Sequence, residues 1–330
     1  MSETMRAAIV SEPGGPEAIR IEERPRPDAG PGEVLIRVAY AALNPLDTHA
    51  RADRIEWFHP GYPFTPGFEY AGRVEAAGDG VDPTLVGQRV ACNGQWGGNA
   101  DYAIAPADRL VPVPEAFDWP TAAAFSTCAY TAWLLVHSAG RVRPGQTVAV
   151  HSAAGAVGAL TTQVARAAGA TVIALAGGPD KLDYARRFGA EHAVDYLRDD
   201  WPAAVRAVTG DRGADLIIDG NAGPNALRNL ECVAPLGNII FLGATAGEAA
   251  DLNVSTLIGK CCSVTGFVQY THQAVSGGAE IEAMHEGLAS GAYRIPIERV
   301  YPLEDLAEAH RAWEARALVG RTLIAAGGAL

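Results

Sequence analysis

Cysteine is scarce in this sequence, and the few cysteines form no pattern typical of a metal site or a disulfide framework. There are 5 cysteines among 330 residues. The number is odd, no CxxC pair occurs, and no histidine lies near a cysteine at metal-ligand spacing. Neither structural zinc nor disulfide cross-linking is therefore predicted. Cys261 and Cys262 lie in an apolar run, and we expect them to be buried thiols.

The sequence also has fewer positively than negatively charged residues, and it lacks long apolar runs. Lys and Arg number 26 against 38 Asp and Glu, which gives a net charge of -12 and leaves no basic stripe. Nucleic acid and anionic membrane are therefore not expected as main partners. No apolar stretch approaches the length of a membrane span, and the first residues lack the apolar region of a signal peptide. We expect a cytoplasmic globular protein with room for two domains.

The clearest motif lies in residues 147–169, which predict a strand, a tight turn of small residues and a helix. Val148 to Val150 are typical of a buried parallel strand, and apolar residues recur at helical spacing from Val157 until Gly169. The first turn of a helix attracts phosphate through its unpaired amides and its dipole. The turn is typical of a dinucleotide site, although a serine replaces the usual first glycine. The predicted pyrophosphate contacts are Ser152, Ala153, Ala154, Gly155, Ala156, Val157 and Gly158.

The strand that follows indicates which nicotinamide cofactor binds. About 20 residues beyond such a turn, an Asp or Glu normally holds the ribose hydroxyls of NAD. This chain instead has Ala176, Gly177 and Gly178, followed by Asp180 and Lys181. Asp180 is typical of an acid in a first helical turn, and Lys181 could be a solvated helix charge. A cation just beyond an uncharged strand end nevertheless suits a 2′-phosphate, so we predict NADP(H) rather than NAD.

The order of the elements predicts an α/β protein with two domains. Residues 6–113 contain short strands separated by Pro, Gly and Asp, which is typical of a partly closed, barrel-like β domain. From Thr147 onward strands and helices alternate, which predicts a doubly wound parallel Rossmann sheet with helices on both faces. We assign residues 126–268 to this dinucleotide-binding domain. Residues 1–125 and 269–330 are assigned to a β-rich catalytic domain.

Several further motifs occur in one fixed order along nearly the whole chain. They are the segments 42–47, 66–74, 87–90, 152–158 and 194–196, together with Lys181 and the Phe188-Gly189-Ala190 sequence. With these motifs the chain resembles the zinc-independent quinone oxidoreductase (zeta-crystallin-like) branch of the medium-chain dehydrogenase/reductase superfamily. The resemblance implies that the β-rich catalytic domain is GroES-like.

The resemblance also implies that the catalytic domain works without zinc. Zinc-dependent relatives carry a cysteine near the position of Asn44 and a histidine at the position of Phe68. They also carry a four-cysteine lobe in the stretch 91–98, which holds only Cys92 here. Activation of an alcohol by a zinc ion is then not expected. Glu69 remains, and we expect it to be a structural acid satisfied by backbone groups or by an arginine.

Further cofactor contacts follow from the resemblance, position by position. It places Gly177, Lys181 and Tyr196 around the 2′-phosphate, and Thr131 and Asn44 near the nicotinamide. The residues implied beside the nicotinamide ribose are Leu242, Gly243, Phe267 and Val268, and Arg321 is a further cofactor candidate. Tyr196 has an alternative interpretation as a core aromatic residue.

Asn44 and His49 are the candidate catalytic residues. Many relatives have a tyrosine five residues after the asparagine, where this chain has His49. An imidazole with a pKa of about 6.5 could donate a proton to a substrate or polarise its carbonyl near neutral pH. Because Asp47 and Arg51 are charged, the alternative is a histidine in a solvated loop.

Aromatic residues are concentrated between Arg51 and Phe64. They are Trp57, Phe58, His59, Tyr62 and Phe64. They either cap the core of the β domain or form a rim that stacks a planar substrate.

These features predict an NADPH-dependent, zinc-independent reductase of quinones or other α,β-unsaturated carbonyls, which are its small-molecule partners. In such substrates the carbon that accepts the hydride is conjugated to the oxygen that gains charge, so hydrogen-bond donors can stabilise that oxygen without a metal. The alternatives are an enoyl-thioester or polyketide-type enoyl reductase and a non-catalytic NADPH-binding sensor or scaffold. The resemblance further implies a homodimer, for which residues 261–268 could supply an edge strand.

Overall fold

The chain divides into two compact units, and both boundaries between them differ from the predicted ones: the first follows residue 127 instead of 125, and the second follows residue 296 instead of 268. The computed structural model describes residues 3–55, 58–198, 200–247 and 253–327. The first unit comprises residues 1–127 and 297–330, and the second comprises residues 128–296.

The first unit is built mainly from β-strands. Its strands are β1 (Thr4–Val10), β2 (Ile19–Pro25), β3 (Glu33–Ala42), β4 (Glu69–Ala77), β5 (Arg89–Asn93), β6 (Tyr102–Pro106), β7 (Val111–Pro112), β14 (Ile297–Pro302) and β15 (Arg321–Ala325). Its helices are α1 (Pro45–Arg51) and α10 (Leu306–Glu314), and α2 (Trp119–Trp133) runs from this unit into the next.

Most of these strands form one seven-stranded sheet. The order is β14, β15, β3, β4, β5 and β7, with β6 also paired to β3, while β1 and β2 form a separate antiparallel pair. Among the described residues this order does not close on itself, so the expected partly closed barrel is instead an open sheet with a hairpin. Val34, Ile36 and Val38 of the central strand β3 are fully buried and pack with Tyr70 in the core.

The second unit contains a six-stranded sheet of parallel strands. Its strands are β8 (Thr147–His151), β9 (Thr171–Ala176), β10 (His192–Asp195), β11 (Ala214–Asp219), β12 (Val233–Phe241) and β13 (Ser263–Gly266). Its helices are α3 (Ala156–Ala167), α4 (Pro179–Arg187), α5 (Trp201–Val208), α6 (Asn229–Cys232), α7 (Val254–Lys260), α8 (Gln269–Ser276) and α9 (Ala279–Ala289).

The strand order in this sheet is β10, β9, β8, β11, β12 and β13, and every neighbouring pair is parallel. Val148, Ala149 and Val150 are almost completely buried, which is typical of a parallel strand covered on both faces. The predicted class, a parallel Rossmann sheet together with a β-rich domain, is confirmed.

Residues 269–296 group with the second unit, whereas the sequence assigned them to the catalytic domain. Gln269 on α8 accepts a hydrogen bond from Thr131 (3.0 Å), and His285 on α9 is hydrogen-bonded to Tyr130 (2.8 Å). An amphipathic pattern identifies the buried face of a helix but not the surface on which that face packs. This boundary therefore depends on tertiary contacts.

The expectation that Cys261 and Cys262 are buried was wrong. Cys261 is exposed and caps the C-terminus of α7 with a left-handed backbone conformation, while Cys262 is partly exposed. The strand begins only at Ser263, because the left-handed residue ends the helix two positions earlier. Among the residues described, no helix combines the length and the apolar character needed to cross a membrane.

Candidate functional site

The turn between β8 and α3 leaves the N-terminus of α3 open to a ligand. Gly155 occupies the N-cap position, and no side chain caps the helix there. The first backbone N–H groups of a helix have no partner within the helix, so this end can bind an anion. Ala153 and Ala154 are buried, while Ser152 adopts a positive φ of 51°.

Gly158 allows α3 to pack directly on this turn. A Cβ atom at residue 158 would lie 2.3 Å from the carbonyl oxygen of Ser152 and 2.8 Å from Cα of Ala153. Both atoms belong to the backbone, so neither can move aside without deforming the turn. Only glycine fits this position, so the turn has the close helix–strand packing expected of a dinucleotide turn.

A second cluster lies where β9 and β10 end. A Cβ atom at Gly177 would lie 3.1 Å from the hydroxyl oxygen of Tyr196. Asp195 fixes this corner, since its Oδ1 accepts hydrogen bonds from the backbone N–H of Gly178 (3.1 Å) and of Leu197 (3.0 Å). Lys181 lies in the first turn of α4 and is partly exposed. The structure therefore brings Gly177 and Tyr196 together, with Lys181 on the helix that begins beside them.

The residues expected near the nicotinamide ribose follow β12 and β13. The backbone N–H of Leu242 donates to the carbonyl of Asp219 (3.0 Å), and that of Phe267 donates to Phe241 (2.8 Å). Gly243 and Val268 follow them and are exposed. These residues share the carboxyl edge of the sheet with the α3 turn, because all the strands are parallel.

Thr131 is buried, and its hydroxyl donates to Oε1 of Gln269 (3.0 Å). The bond connects α2 to the first residue of α8. The hydroxyl oxygen can still accept a hydrogen bond, and Gln269 in turn donates to Gln273 (3.2 Å).

Sequence reasoning missed a buried polar chain beneath the carboxyl edge. Nε2 of His151 lies 2.9 Å from Oδ1 of Asn229, whose Nδ2 donates to Oδ2 of Asp219 (2.8 Å). The other oxygen of Asp219 accepts the backbone N–H of Asn221 (2.8 Å) and of Ala222 (3.1 Å). The signal in the sequence was weak, since it consists of single polar residues at the ends of two strands.

In the first unit, strand register gathers Asn44, Glu69 and Arg321. Ala42 of β3 pairs with Glu69 on one side and with Leu323 on the other. Arg321 forms an ion pair with Glu69 and donates to Oδ1 of Asn44 (2.9 Å). Burial lowers the pKa of Arg321 to about 10.

Glu69 is completely buried and has several donors. Besides Arg321 it accepts from Oγ of Ser126 (3.0 Å), from the N–H of Thr127 (2.7 Å) and from Nδ2 of Asn44 (3.3 Å). The carboxylate is thus a structural acid held by backbone and arginine. Asn44 also donates from Nδ2 to the carbonyl of Ala42 (3.1 Å), so its amide donors are directed into this cluster.

Asp47 organises the start of α1 and the residues preceding β4. It accepts backbone hydrogen bonds from Asn44 (2.8 Å), Gly67 (2.8 Å) and Phe68 (3.2 Å). Burial raises the pKa of Asp47 to about 6, although these bonds and the charge of Arg321 act in the opposite direction. Because Asp47 and Asn44 form a capping box, the α1 helix starts at Pro45.

His49 lies on α1 and not in a loop. Its side chain is half-buried, and its ring meets the ring of Trp313 edge-on, with centroids 6.1 Å apart. Burial lowers the pKa of His49, and the charge of Arg54 acts in the same direction while Glu314 opposes it. The imidazole is therefore neutral at neutral pH and able to donate one hydrogen bond.

The aromatic residues after α1 pack on each other and on the core of the first unit. The ring of Phe64 lies 5.4 Å from that of Trp96, which lies 5.0 Å from that of Phe68. Tyr62 donates its hydroxyl to the carbonyl of Ala50 (2.8 Å). This packing favours the interpretation as a core cap for Phe58, His59, Tyr62 and Phe64, while Trp57 lies outside the described residues.

Comparison with known proteins assigns the family. Residues 30–115 match the alcohol dehydrogenase GroES-like domain, and residues 156–284 match the zinc-binding dehydrogenase family. The quinone oxidoreductase of Sus scrofa is 32% identical over 309 residues, 93% of each chain. The chain belongs to the quinone oxidoreductase branch of the medium-chain dehydrogenase/reductase superfamily.

Two further proteins are similar to this oxidoreductase over nearly its whole length. The 2-haloacrylate reductase of a Burkholderia species is 30% identical over 330 residues, 96% of this chain and 98% of that protein. The structure of Escherichia coli quinone oxidoreductase in complex with NADPH has a TM-score of 0.90 at 25% identity, over 97% of this chain and 99% of that chain.

The quinone oxidoreductase family uses NADP(H), and the second unit of this member fits that cofactor. Gly158 keeps the α3 turn tight, and Gly177 leaves space beside the hydroxyl of Tyr196 where a larger residue would intrude. The predicted cofactor, NADP(H), is confirmed at the level of the family.

At the positions where zinc-dependent relatives carry ligands, this oxidoreductase has Asn44 and Phe68, and both have other contacts. Asn44 belongs to the cluster of Glu69 and Arg321, and Phe68 is buried among aromatic rings. Within the ranges that the structure describes, no three His, Cys, Asp or Glu side chains are grouped to hold a metal ion.

Proposed function

We propose that this oxidoreductase reduces quinones or other α,β-unsaturated carbonyls with NADPH and without zinc. The observation that carries the proposal is the buried cluster in the first unit. There the carboxylate of Glu69 is surrounded by donors from Arg321, Asn44, Ser126 and Thr127. A carboxylate so occupied has little capacity left to coordinate a metal, and this supports chemistry that depends on hydrogen-bond donors.

The second unit would hold the cofactor through three groups. The open amides at the start of α3 would bind the pyrophosphate, and Lys181 with Tyr196 would bind the 2′-phosphate. Leu242, Gly243, Phe267 and Val268, on the carboxyl edge of the sheet, would flank the nicotinamide ribose. The bound nicotinamide supplies the hydride.

His49 would donate a hydrogen bond to the substrate oxygen that gains charge. Because burial lowers its pKa, the ring is neutral near pH 7 and one nitrogen carries a proton. Its contact with Trp313 restricts the orientation of the ring. Asn44 would not donate to the substrate oxygen as the sequence led us to expect. Its amide donates to Ala42 and Glu69 instead, and so positions the polar cluster. Arg321 would likewise support this cluster, because its guanidinium contacts Asn44 and Glu69.

Two kinds of acceptor fit this chemistry. Quinones are supported by the similarity to quinone oxidoreductases, and an α,β-unsaturated acid is supported by the similarity to 2-haloacrylate reductase. Both place the carbon that accepts the hydride in conjugation with an oxygen. Stabilising that oxygen by hydrogen bonding lowers the barrier in either case.

The test is steady-state oxidation of NADPH and, separately, of NADH in the presence of EDTA. The acceptors are benzoquinone, phenanthrenequinone, a linear enone, 2-chloroacrylate and an enoyl thioester. Turnover with NADPH on quinones or enones that EDTA does not change is the expected result. Turnover on the enoyl thioester alone would favour an enoyl reductase. Binding of NADPH without turnover on any acceptor would overturn the proposal in favour of a sensor or scaffold.

We also propose that two copies associate through β13. Among the described strands, β13 ends the hydrogen-bonded order of the parallel sheet, so its outer edge is available for pairing. Val264 on β13 and Val268 just after it are 36% and 37% exposed, and Ile258 on the preceding helix is 71% exposed. An edge strand next to exposed apolar side chains is suited to a symmetric interface.

A further inference from the structure

The place where the parallel sheet changes direction lies between β8 and β11. The chain proceeds from β8 outward to β9 and β10, then crosses to β11 and proceeds outward the other way. Ligands of such sheets bind outside the carboxyl ends of the strands at this point. Ser152 follows β8 immediately, and Asn221 lies two residues beyond the end of β11. These two residues thus flank the crevice in which a dinucleotide is expected.

The side chain of Asn221 joins three loops at a single oxygen atom. Its Oδ1 accepts a hydrogen bond from Oγ of Ser152 (2.7 Å) and another from Oγ1 of Thr245 (3.2 Å). Ser152 belongs to the loop after β8, Asn221 to that after β11 and Thr245 to that after β12. The Thr245 hydroxyl shares its single proton between Oδ1 of Asn221 and the carbonyl oxygen of Gly220 (3.3 Å). The shorter bond from Ser152 therefore does most to orient the amide and its Nδ2 group.

The backbone around Asn221 is held equally firmly. Oδ1 of Asp219 accepts the N–H of Asn221 and of Ala222, and the carbonyl of Asn221 accepts the N–H of Ala246 (2.8 Å). Ala222 has a φ of 49° and a ψ of -128°, a strained conformation for a residue with a Cβ. A strained conformation of this kind persists where surrounding contacts determine the backbone. Here those contacts keep Asn221 at the crevice.

We propose that Asn221 is a cofactor-binding residue, whose Nδ2 group donates a hydrogen bond to an oxygen of the NADP(H) pyrophosphate or the adjoining ribose. Both accepted bonds of the side chain are on Oδ1, and across the described part of the chain Nδ2 has no partner. The residue is partly exposed, so a ligand in the crevice can reach it. The inference rests on NADP(H) binding and is independent of which substrate is reduced.

The same geometry explains why a serine occupies the position of the usual first glycine. The positive φ of Ser152 would favour glycine, but a glycine has no hydroxyl to orient Asn221. Ser152 thus contributes to the cofactor site through its backbone and also through Asn221. It acts as a positioning residue for that amide.

The test is the dissociation constant of NADPH and of NADH for Asn221→Asp, measured by cofactor fluorescence on the full chain. Aspartate keeps the two accepted bonds and replaces only the NH2 group with a negatively charged oxygen. We expect the dissociation constant to increase about tenfold or more for both cofactors, because a hydrogen-bond donor to a charged group is lost and electrostatic repulsion is added. The increase should shrink as salt rises, since screening weakens the repulsion.

The matched control is Asn238→Asp. Oδ1 of Asn238 likewise accepts two hydroxyl donors, from Ser263 (2.9 Å) and Thr265 (3.0 Å), but these residues lie along β12 and β13 and away from the turn. This variant should bind both cofactors like the wild type.

Three results would overturn the inference. They are an unchanged dissociation constant in Asn221→Asp, an equal increase in Asn238→Asp, or an increase for NADPH but not for NADH. If Asn221→Asp does not fold, Asn221→Ala provides the same measurement without added charge, and an unchanged constant there is equally decisive. Absence of turnover on every acceptor would remove the proposed reductase function but leave these binding results intact.

Discussion

Arg321 and Glu69 form an ion pair in which both side chains are almost completely buried, 4% and 0% exposed. The two residues are 252 positions apart in the chain and meet because β15, β3 and β4 are neighbours. Removing two charges from water costs free energy, which the partners Asn44, Ser126 and Thr127 help to offset. Each charge therefore depends on its partner to remain buried without a large cost in free energy.

Replacing one member of this pair should strongly destabilise the first unit. Arg321→Met leaves the Glu69 carboxylate buried without its cation, and we expect a loss of about 3–5 kcal/mol in the free energy of unfolding. The double variant Arg321→Met with Glu69→Gln should recover part of that loss. The measurement is urea-induced unfolding of each variant.

The pair of Arg311 and Glu308 provides a control, because both side chains are more than half exposed, 56% and 57%. Arg311→Ala should lower the free energy of unfolding by less than about 1 kcal/mol, since solvent screens the charges. A loss in Arg321→Met no larger than in this control would contradict the prediction.

A methyl group at position 158 should distort the turn between β8 and α3 much more strongly than one at position 155. Gly158→Ala brings a Cβ atom within 2.3 Å of the Ser152 carbonyl oxygen, but at Gly155 the nearest atom is 3.3 Å away. We expect Gly158→Ala to lose about 1–3 kcal/mol of stability. The measurement is thermal unfolding without cofactor, and equal melting temperatures of the two variants would contradict this account.

Lys181 should determine the preference for NADPH over NADH. Lys181→Ala should raise the KM for NADPH by about tenfold, because a charge-assisted contact with the 2′-phosphate is lost. The KM for NADH should not change, since NADH lacks that phosphate. Steady-state kinetics with both cofactors check the prediction, and a parallel increase for both would indicate that the lysine supports the fold instead.

His310 should make the protein less stable in acid. It is completely buried on α10, and in the described structure neither ring nitrogen has a hydrogen-bond partner. Burial, together with the charge of Arg51, lowers its pKa from 6.5 to about 3. Between these values the unfolded chain binds a proton that the folded chain does not. Stability should therefore fall as the pH falls below 6.5, by up to about 1.4 kcal/mol per pH unit.

The variant His310→Leu tests this dependence, because it fills similar space without a titratable group. The difference in unfolding free energy between wild type and variant should change from pH 8 to pH 5 in favour of the variant. Asp47, whose raised pKa of about 6 gives the opposite dependence, is common to both proteins and cancels in this comparison. Substitution of the exposed His192 by Gln serves as the control. If the difference in unfolding free energy between wild type and His310→Leu stays constant from pH 8 to pH 5, His310 is not the source of the acid sensitivity.

A charge on the outer edge of β13 should prevent association of two copies. Val264→Lys places an ammonium group on the exposed strand that we propose as the interface. Light scattering should report a dimer for the wild type and a monomer for the variant, with unchanged NADPH affinity. A monomeric wild type would rule out the proposed interface.

Short-range patterns in the sequence predicted the local elements of the cofactor unit well. The segment from Thr147 to Gly169 folds as a strand, a turn and a helix because its apolar spacing and small residues suffice to specify them. The uncharged end of β9 and Lys181 favoured NADP(H), the cofactor that the family uses. Such signals can be read because the interacting groups lie within one or two turns of each other.

Contacts between distant segments were decided only by the tertiary structure. Packing of α8 and α9 assigned residues 269–296 to the second unit, and strand register gathered Asn44, Glu69 and Arg321. Asn221 had no sequence signal at all, because its partner Ser152 lies 69 positions earlier and adjoins it only through the pairing of β8 with β11. Local composition specifies which elements form. Which side chains then meet depends on how the sheets order their strands, and no local pattern encodes that order.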